Sequence, residues 1–222
     1  MANDAFTPEF LLQAYRQGVF PMSEGRNDPD IFWVDPKFRG IFPLDNYHIS
    51  RSLGRRIRQE NYEIRINSAF PDVMQACAER SETWINTRIF NLYCELARLG
   101  HAHSLEVWQK GRMAGGVYGL TIGAAFFGES MFSRRTDASK VALMHLIARL
   151  RLGRFKMLDT QFITDHLTRF GAIEIPAREF QQKLDSALAA HGHLAQFVDD
   201  ETVAEELERM FEESSRGTTL PA

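Results

Sequence analysis

A carboxylate lies inside an apolar stretch of this 222-residue chain, between a glycine and a serine. The residue is Glu129, and the run 124–127 (AAFF), which ends one glycine before it, is typical of a buried strand. Burying a carboxylate is costly unless it meets a cation or several hydrogen-bond donors. Glu129 is therefore expected either to anchor the structure or to bind a charged ligand.

A second polar pair stands at the end of another short apolar run. Asp159 follows residues 155–158 and Gln161 comes two positions later, so on a continuing strand both side chains point to one face. Polar groups at strand ends are a common place for chemistry in α/β proteins. The Gln161 carbonyl could accept a hydrogen bond from an amine, and Asp159 could accept from the Gln161 amide and hold it in place. The structural alternative is that Asp159 caps a helix beginning near Phe162.

The elements that must position these residues are visible from residue 104 onward. Three strand-like runs predict an antiparallel meander. They cover about 104–109, 112–121 and 124–132, and Gly111 and Gly123 mark the turns. The elements predicted after the meander are a helix at 138–152, a strand at 155–159 and helices near 162–170 and 178–190. This order predicts an α+β fold with one largely antiparallel sheet flanked by helices.

The first third of the chain is less regular. Thr7 and Pro8 are typical of a helix start and Gly18 of its end. Residues 21–47 are rich in Pro, Gly, Asn and Asp and predict irregular structure, whereas residues 62–67 alternate as a half-exposed strand does. We therefore predict three parts of the chain. They are a small N-terminal region at 1–69, an acyltransferase-like catalytic domain at 70–197 and an acidic C-terminal tail at 198–222.

Charge is distributed unevenly along the chain, whose formal net charge is −3. Residues 198–222 hold eight acids and two bases, so this tail carries −6 and residues 1–197 carry +3. The tail has apolar residues at helical spacing, and its end, 214–222, is expected to be disordered. Four arginines crowd together at Arg51, Arg55, Arg56 and Arg58. They predict either a basic patch for an RNA backbone or an ordinary solvated helix face.

Composition excludes several classes of protein. No apolar run approaches the ~20 residues of a membrane span, and the N-terminus lacks the basic-then-apolar pattern of a signal peptide. Cys77 and Cys94 are expected to be free thiols in a reducing cytoplasm. The His-x-His pairs at 101–103 and 191–193 have no third ligand at convincing spacing, so no metal site is predicted.

An ordered set of short blocks runs through most of the chain. The blocks are 14–21 (AYRQGVFP), 84–85 (WI), 101–108 (HAHSLEVW), 115–119 (GGVYG), 127–133 (FGESMFS), 138–140 (ASK), 159–161 (DTQ) and 171–176 (GAIEIP). Together they closely resemble the leucyl/phenylalanyl-tRNA–protein transferase family. No single block would be decisive, but the ordered set is highly specific.

The resemblance implies a fold and a reaction. The fold would be similar to that of GCN5-related acyltransferases, preceded by a small N-terminal region. The reaction would move leucine or phenylalanine from Leu-tRNA or Phe-tRNA to the α-amine of proteins or peptides that begin with Arg or Lys. This transfer would mark the acceptor for degradation by the N-degron route. We expect a cytoplasmic monomer that needs no cofactor.

The resemblance also implies roles for residues. Asp159 and Gln161 match the family's catalytic pair, in which we favour positioning of the amine over proton transfer because a neutral amide is a very weak base. Glu129 matches the position that contacts the donor aminoacyl group, through the donor's α-ammonium. The implied apolar pocket for the leucine or phenylalanine side chain comprises Val117, Met131, Leu146, Leu150 and Leu158. The aromatic residues that match those near the RNA 3′ end are Tyr15, Trp84 and Tyr93. Met22 departs from the pattern, since a tryptophan is common there, and this weakens the expected binding of the terminal adenosine.

Two other functions stay open on the sequence. An acetyl-CoA-dependent N-acyltransferase would need an Arg/Gln-x-x-Gly-x-Gly/Ala loop to hold pyrophosphate at a helix start, and no such hexapeptide is present. A non-catalytic tRNA-binding or peptide-binding module would need neither Glu129 nor the Asp159–Gln161 pair. Measuring the binding of acetyl-CoA against that of aminoacyl-tRNA separates the three functions.

Overall fold

The computed structural model describes residues 6–59, 62–194 and 198–216. Its helices are α1 (Pro8–Arg16), α2 (Arg51–Gln59), α3 (Phe70–Ala78), α4 (Thr87–Arg98), α5 (Ala138–Leu152), α6 (Asp165–Thr168), α7 (Ala177–Leu188) and α8 (Asp200–Arg216). Its strands are β1 (Phe20–Met22), β2 (Phe32–Val34), β3 (Phe38–Phe42), β4 (Glu63–Ile66), β5 (Ala102–Gln109), β6 (Arg112–Ile122), β7 (Ala125–Ser133), β8 (Met157–Gln161) and β9 (Ile173–Pro176).

A seven-stranded sheet in the order β4-β5-β6-β7-β8-β3-β9 forms the centre of the molecule. Its neighbouring strands are antiparallel except for β7 and β8, which run parallel. β1 and β2 form a separate two-stranded ribbon. The predicted α+β fold with a largely antiparallel sheet flanked by helices is confirmed.

The predicted meander and the helix that follows it are confirmed. β5, β6 and β7 pair in sequence, with positive-φ glycines at both turns, Gly111 and Gly123. α5 has the predicted bounds of Ala138–Leu152. The helix predicted near 162–170 is reduced to α6, because it begins only after its N-cap residue, Thr164.

The prediction of irregular structure for residues 21–47 is wrong. Residues Phe38–Phe42 form β3, which lies between β8 and β9 and pairs with both, and β2 also falls in this range. A strand of five residues has too little periodicity to stand out, and β3 is stabilised by partners that are distant in the sequence. β3 and β4 both come from residues 1–69 and join the main sheet. The division of the chain into three parts stays a prediction.

The sheet separates two apolar clusters, because successive residues of a strand point to opposite faces. Tyr118 and Phe127 belong to the first cluster, which also contains side chains of α1, α3, α4 and α7. Val117 and Phe126 belong to the second, which contains side chains of α5 and α8. Each candidate site residue can therefore be assigned to one face or the other.

The acidic C-terminal segment is a packed helix over its described residues. The apolar residues that α8 buries are Val203, Leu207, Met210 and Phe211. Its buried Glu206 pairs with Arg151 of α5 at 2.5 Å. The expectation of disorder from residue 214 is wrong for residues 214–216, which continue the helix, while residues 217–222 lie outside the described residues. The segment is helical because its apolar face packs into the second cluster.

The 101–108 block contributes a buried carboxylate with a structural role. Glu106 of β5 accepts hydrogen bonds from the backbone N–H groups of Ser68 and Ala69, at 3.2 and 3.3 Å, and from the Ser104 hydroxyl at 2.6 Å. Ser68 and Ala69 immediately precede α3. The carboxylate therefore satisfies backbone donors at the positive end of that helix.

Candidate active site

Glu129 lies at a β-bulge in the centre of the sheet. Gly128 pairs with Gly119 of β6 and Ser130 pairs with Tyr118, so Glu129 between them has no opposite residue. A bulge redirects a side chain out of the regular alternation. The Glu129 carboxyl lies beside α1, where the Tyr15 hydroxyl contacts it, and the residue is partly buried.

Three buried tyrosines surround this carboxyl group. The Tyr15 hydroxyl donates to Glu129 Oε1 at 2.6 Å and lies 2.5 Å from the Tyr93 hydroxyl. The Tyr118 ring meets the Tyr93 ring edge-on at 5.9 Å, and its hydroxyl has no hydrogen-bond partner among the described residues. Burial, and then the charge of Glu129, raises the pKa of all three phenols, so they stay protonated and can donate. The predicted residues Tyr15 and Tyr93 are thus brought together with Glu129.

The surroundings of Glu129 favour its protonated form. Desolvation raises the pKa of its carboxyl group to about 8; the Tyr15 hydrogen bond opposes this and the negative charge of Asp159 adds to it. A cation placed beside Glu129 would reverse the balance. The desolvated carboxyl group therefore favours a cationic partner.

The raised pKa of Glu129 predicts a pH-dependent gain in stability for Glu129→Gln. Between 4.5, its ordinary pKa, and about 8, the folded protein holds a proton that the unfolded chain releases. Stability of the wild type therefore falls with rising pH in this window, by up to about 1.4 kcal/mol per pH unit, and the variant escapes that loss. Urea unfolding at several pH values measures the difference, with the exposed Glu24→Gln as control. Parallel curves for wild type and Glu129→Gln would contradict it.

Asp159 is held by a buried arginine. Its Oδ1 and Oδ2 accept from Arg39 Nε and Nη2 at 2.8 and 2.7 Å, and the two side chains are 0% and 1% exposed. The prediction that Asp159 holds the side-chain amide of Gln161 is wrong, because Asp159 Oδ1 accepts instead from the Gln161 backbone N–H, at 2.9 Å. The alternative of a helix cap is also wrong, since the cap of α6 is Thr164. Sequence reasoning missed Arg39, whose only signal was an arginine inside a short apolar segment.

Gln161 ends β8 in a left-handed backbone conformation, at φ 56°. Few non-glycine residues adopt this region, and surrounding contacts must hold it. Its side-chain Nε2 donates to Glu129 Oε1 at 3.0 Å, which leaves its carbonyl Oε1 without a partner among the described residues. Gly40 faces it on β3, where a Cβ atom would lie only 2.8 Å from Thr160 Oγ1. The close strand approach at this position thus requires glycine.

The apolar residues predicted for the substrate pocket lie on the other face of the sheet. Val117, Leu146, Leu150 and Leu158 are buried in the second cluster, and Met131 packs against it. Met131 is two residues after Glu129 and would share its face in a regular strand, but the bulge at Glu129 reverses the alternation. The structure does not bring these five residues into contact with the tyrosine group.

The sequence of this chain matches one protein family over most of its length. Residues 41–185 match the sequence model of leucyl/phenylalanyl-tRNA protein transferase, and residues 4–37 match that of its N-terminal domain. Proteins named leucyl/phenylalanyl-tRNA–protein transferase from Cereibacter sphaeroides strain KD131 and Ruegeria pomeroyi are 59% and 56% identical to this chain. These matches cover 86% of this chain and 89% and 91% of the two relatives. The chain belongs to the leucyl/phenylalanyl-tRNA protein transferase family.

The family assignment confirms the resemblance seen in the ordered sequence blocks. A third transferase of this name, from Paramagnetospirillum magneticum, is 57% identical over 82% of this chain and 90% of its own length. Among solved structures, that of L-PGS from Bacillus licheniformis matches 82% of this chain and 71% of its own, with a TM-score of 0.41 and 14% identity. That likeness is too low to establish a shared fold.

The remaining aromatic residue predicted for this transferase lies on the tyrosine side of the sheet. Trp84 precedes α4, is partly buried and packs against the first cluster, as Met22 does. The backbone carbonyl of Trp84 accepts a hydrogen bond from the Ser23 hydroxyl at 2.9 Å. Within the described residues, no group of three or more metal-ligating side chains occurs, and Cys77 and Cys94 are unpaired. No helix of that part of the chain is long and apolar enough to cross a membrane.

The arginine cluster of this transferase family member lies on α2 and divides into two pairs. Arg51 and Arg55 are exposed and make no ion pair within the described residues. Arg56 lies 3.1 Å from Asp137, and Arg58 forms two hydrogen bonds with Glu208 of α8, at 2.7 and 2.6 Å. The acidic helix thus already neutralises Arg58.

We expect the exposed pair of arginines, and not Arg58, to control tRNA affinity. Replacing Arg51 and Arg55 with glutamine should weaken binding of all tRNAs alike and reduce the slope of log affinity against log salt by about 1 to 2. Arg58→Gln is the matched control and should change the slope less, because Glu208 already pairs with it. Filter binding over a range of salt concentrations measures both. An unchanged slope in the double variant would identify an ordinary solvated face.

Proposed function

We propose that this chain moves leucine or phenylalanine from Leu-tRNA or Phe-tRNA to the α-amine of proteins or peptides that begin with Arg or Lys. Transfer in the cytoplasm would mark the acceptor for N-degron degradation. The family assignment supports this reaction. The observation that carries it is the contact of Gln161 with Glu129, since it joins an amine-orienting amide to an ammonium-binding carboxylate.

The reaction is aminolysis of an activated ester. The acceptor nitrogen forms a bond with the carbonyl carbon of the aminoacyl group, and the bond from that carbon to the terminal ribose oxygen breaks. An ammonium has no lone pair, but an α-amine with a pKa of about 8 is partly neutral near pH 7. The proton released by the amine passes to the departing ribose oxygen, directly or through water. The protein therefore contributes mainly by placing the two reactants.

Gln161 would place the acceptor. Its Nε2 is engaged by Glu129, so its carbonyl Oε1 points away from that carboxylate and can accept a hydrogen bond from the attacking amine. Its backbone N–H is held by Asp159, which prevents the residue from relaxing out of its left-handed conformation. Asp159 would act through the backbone of Gln161.

Glu129 would hold the donor through its α-ammonium. The carboxyl group is desolvated, and an incoming cation satisfies it while lowering its pKa from about 8. Tyr15 and Tyr93 are fully buried, and their hydroxyl groups are hydrogen-bonded to each other. We therefore infer that they position Glu129 and do not stack on a base. Trp84 is partly accessible and is our candidate for stacking on the terminal adenine, a contact worth ~1–3 kcal/mol.

The donor side chain would enter the second apolar cluster. The residues proposed to contact it are Val117, Met131, Leu146, Leu150 and Leu158. To reach the α5 face it would have to pass between β7 and β8, whose pairing runs only from Ala125↔Met157 to Phe127↔Asp159 and ends before Glu129. Such a pocket would disfavour β-branched side chains by ~1–3 kcal/mol. We also infer that the sheet is similar to that of GCN5-related acyltransferases, since it is a mixed sheet flanked by helices. We further infer that the protein is a monomer and requires no cofactor.

Transfer of labelled leucine from Leu-tRNA to an Arg-initiated peptide tests the proposal. The same peptide with an acetylated N-terminus is the matched control, since it has no α-amine. We expect label in the free peptide alone, with no metal, nucleotide or acetyl-CoA added and with EDTA present. Transfer that required acetyl-CoA, or that EDTA abolished, would overturn the proposal.

A further inference from the structure

Arg39 is a buried charge in the site to which the proposed chemistry assigns no role. It belongs to β3, which lies directly beside β8, and its side chain is 1% exposed. All three nitrogens of its guanidinium group donate hydrogen bonds. Nε and Nη2 donate to the two oxygens of Asp159, and Nη1 donates to the Gly18 carbonyl at 2.8 Å.

The guanidinium group is also fixed from both sides. The Phe20 ring lies 4.5 Å from it and the Phe180 ring 4.6 Å, on β1 and α7. Aromatic faces attract a desolvated guanidinium, and a planar fork clamped in this way has little freedom to rotate. Arg39 thus connects Gly18, β1 and α7 to the carboxylate whose Oδ1 accepts from the Gln161 backbone N–H.

We propose that Arg39 is a positioning residue for aminoacyl transfer. By bonding both oxygens of Asp159, it fixes the acceptor for the Gln161 backbone N–H, and so aims the Gln161 amide at Glu129 and at the amine. Lysine cannot replace it, because one ammonium cannot bridge both oxygens and reach the Gly18 carbonyl in that planar geometry. This inference rests on the proposed orienting role of Gln161.

Arg39→Lys tests the inference because it keeps the buried charge. We expect kcat to fall by about tenfold or more, while affinity for a non-reacting aminoacyl-adenosine analogue stays within about twofold. If Arg39 acts through Gln161, Arg39→Lys combined with Gln161→Ala should be no slower than Gln161→Ala alone. Arg149→Lys is the matched control, since Arg149 is another buried arginine, 3% exposed, on α5. The kcat of this variant should not change.

The outcomes are distinguishable. Wild-type kcat in Arg39→Lys, or losses that multiply in the double variant, would overturn the positioning role. A normal rate in Gln161→Ala would instead refute the orienting role of Gln161 on which the inference rests, and no transfer by the wild type would overturn the proposed function. If Arg39→Lys does not fold, Phe180→Leu loosens one side of the clamp and leaves both charges in place. It should lower kcat about threefold, and only when Gln161 is present; an unchanged kcat would also refute the inference.

Discussion

Gln161→Ala should lower the single-turnover rate of leucine transfer by about 10²-fold or more, the scale of orienting and acid–base groups. The substitution removes the carbonyl Oε1 that we propose to orient the attacking amine. Affinity for an aminoacyl-adenosine analogue should stay nearly constant, because Glu129 keeps its hydrogen bond from Tyr15. Rapid-quench transfer and analogue titration on the same preparation measure the two quantities.

The matched control for this change is Gln75→Ala, on the exposed face of α3, which should react at the wild-type rate. Glu129→Gln should behave in the opposite way to Gln161→Ala and weaken analogue binding outright. A near-wild-type rate in Gln161→Ala would refute the orienting role. Lost analogue binding in that variant would show that Gln161 holds the donor and not the acceptor.

Asp159→Ala should lower the free energy of unfolding by about 3–5 kcal/mol, the usual cost of breaking a buried ion pair. The variant leaves the Arg39 guanidinium buried without its carboxylate and also removes the acceptor for the Gln161 N–H. Combining it with Arg39→Met should recover part of the loss, because no uncompensated charge then remains buried. Chemical denaturation of the three proteins measures these differences.

An exposed aspartate provides the control for Asp159→Ala. Asp30 lies on the surface, and Asp30→Ala should change the free energy of unfolding by no more than about 0.5 kcal/mol. A loss of less than about 1 kcal/mol in Asp159→Ala would contradict the expected cost of leaving the Arg39 guanidinium buried without its carboxylate. Transfer by the folded fraction of Asp159→Ala should also be slow, since Gln161 would lose its backbone anchor.

Local periodicity and composition were enough to predict the centre of the fold. The meander of β5, β6 and β7 follows from short strand-like runs with glycines at the turns, and the helix α5 from apolar residues available for a buried face. The same reasoning singled out Glu129 and Asp159 as costly buried acids, and the ordered blocks led to the family. These features depend on neighbours within a few residues, which is the range over which a sequence pattern is informative.

The partners of the polar groups depended on tertiary structure. Arg39 and Asp159 are 120 positions apart, and Gln161 and Glu129 are 32 apart, so no local pattern could pair them. A bulge at Glu129 reversed the faces predicted by alternation, because one extra residue shifts every later side chain to the other side. The α8 helix extends through residue 216 because its apolar face packs against the second cluster, which is formed by distant segments of the chain.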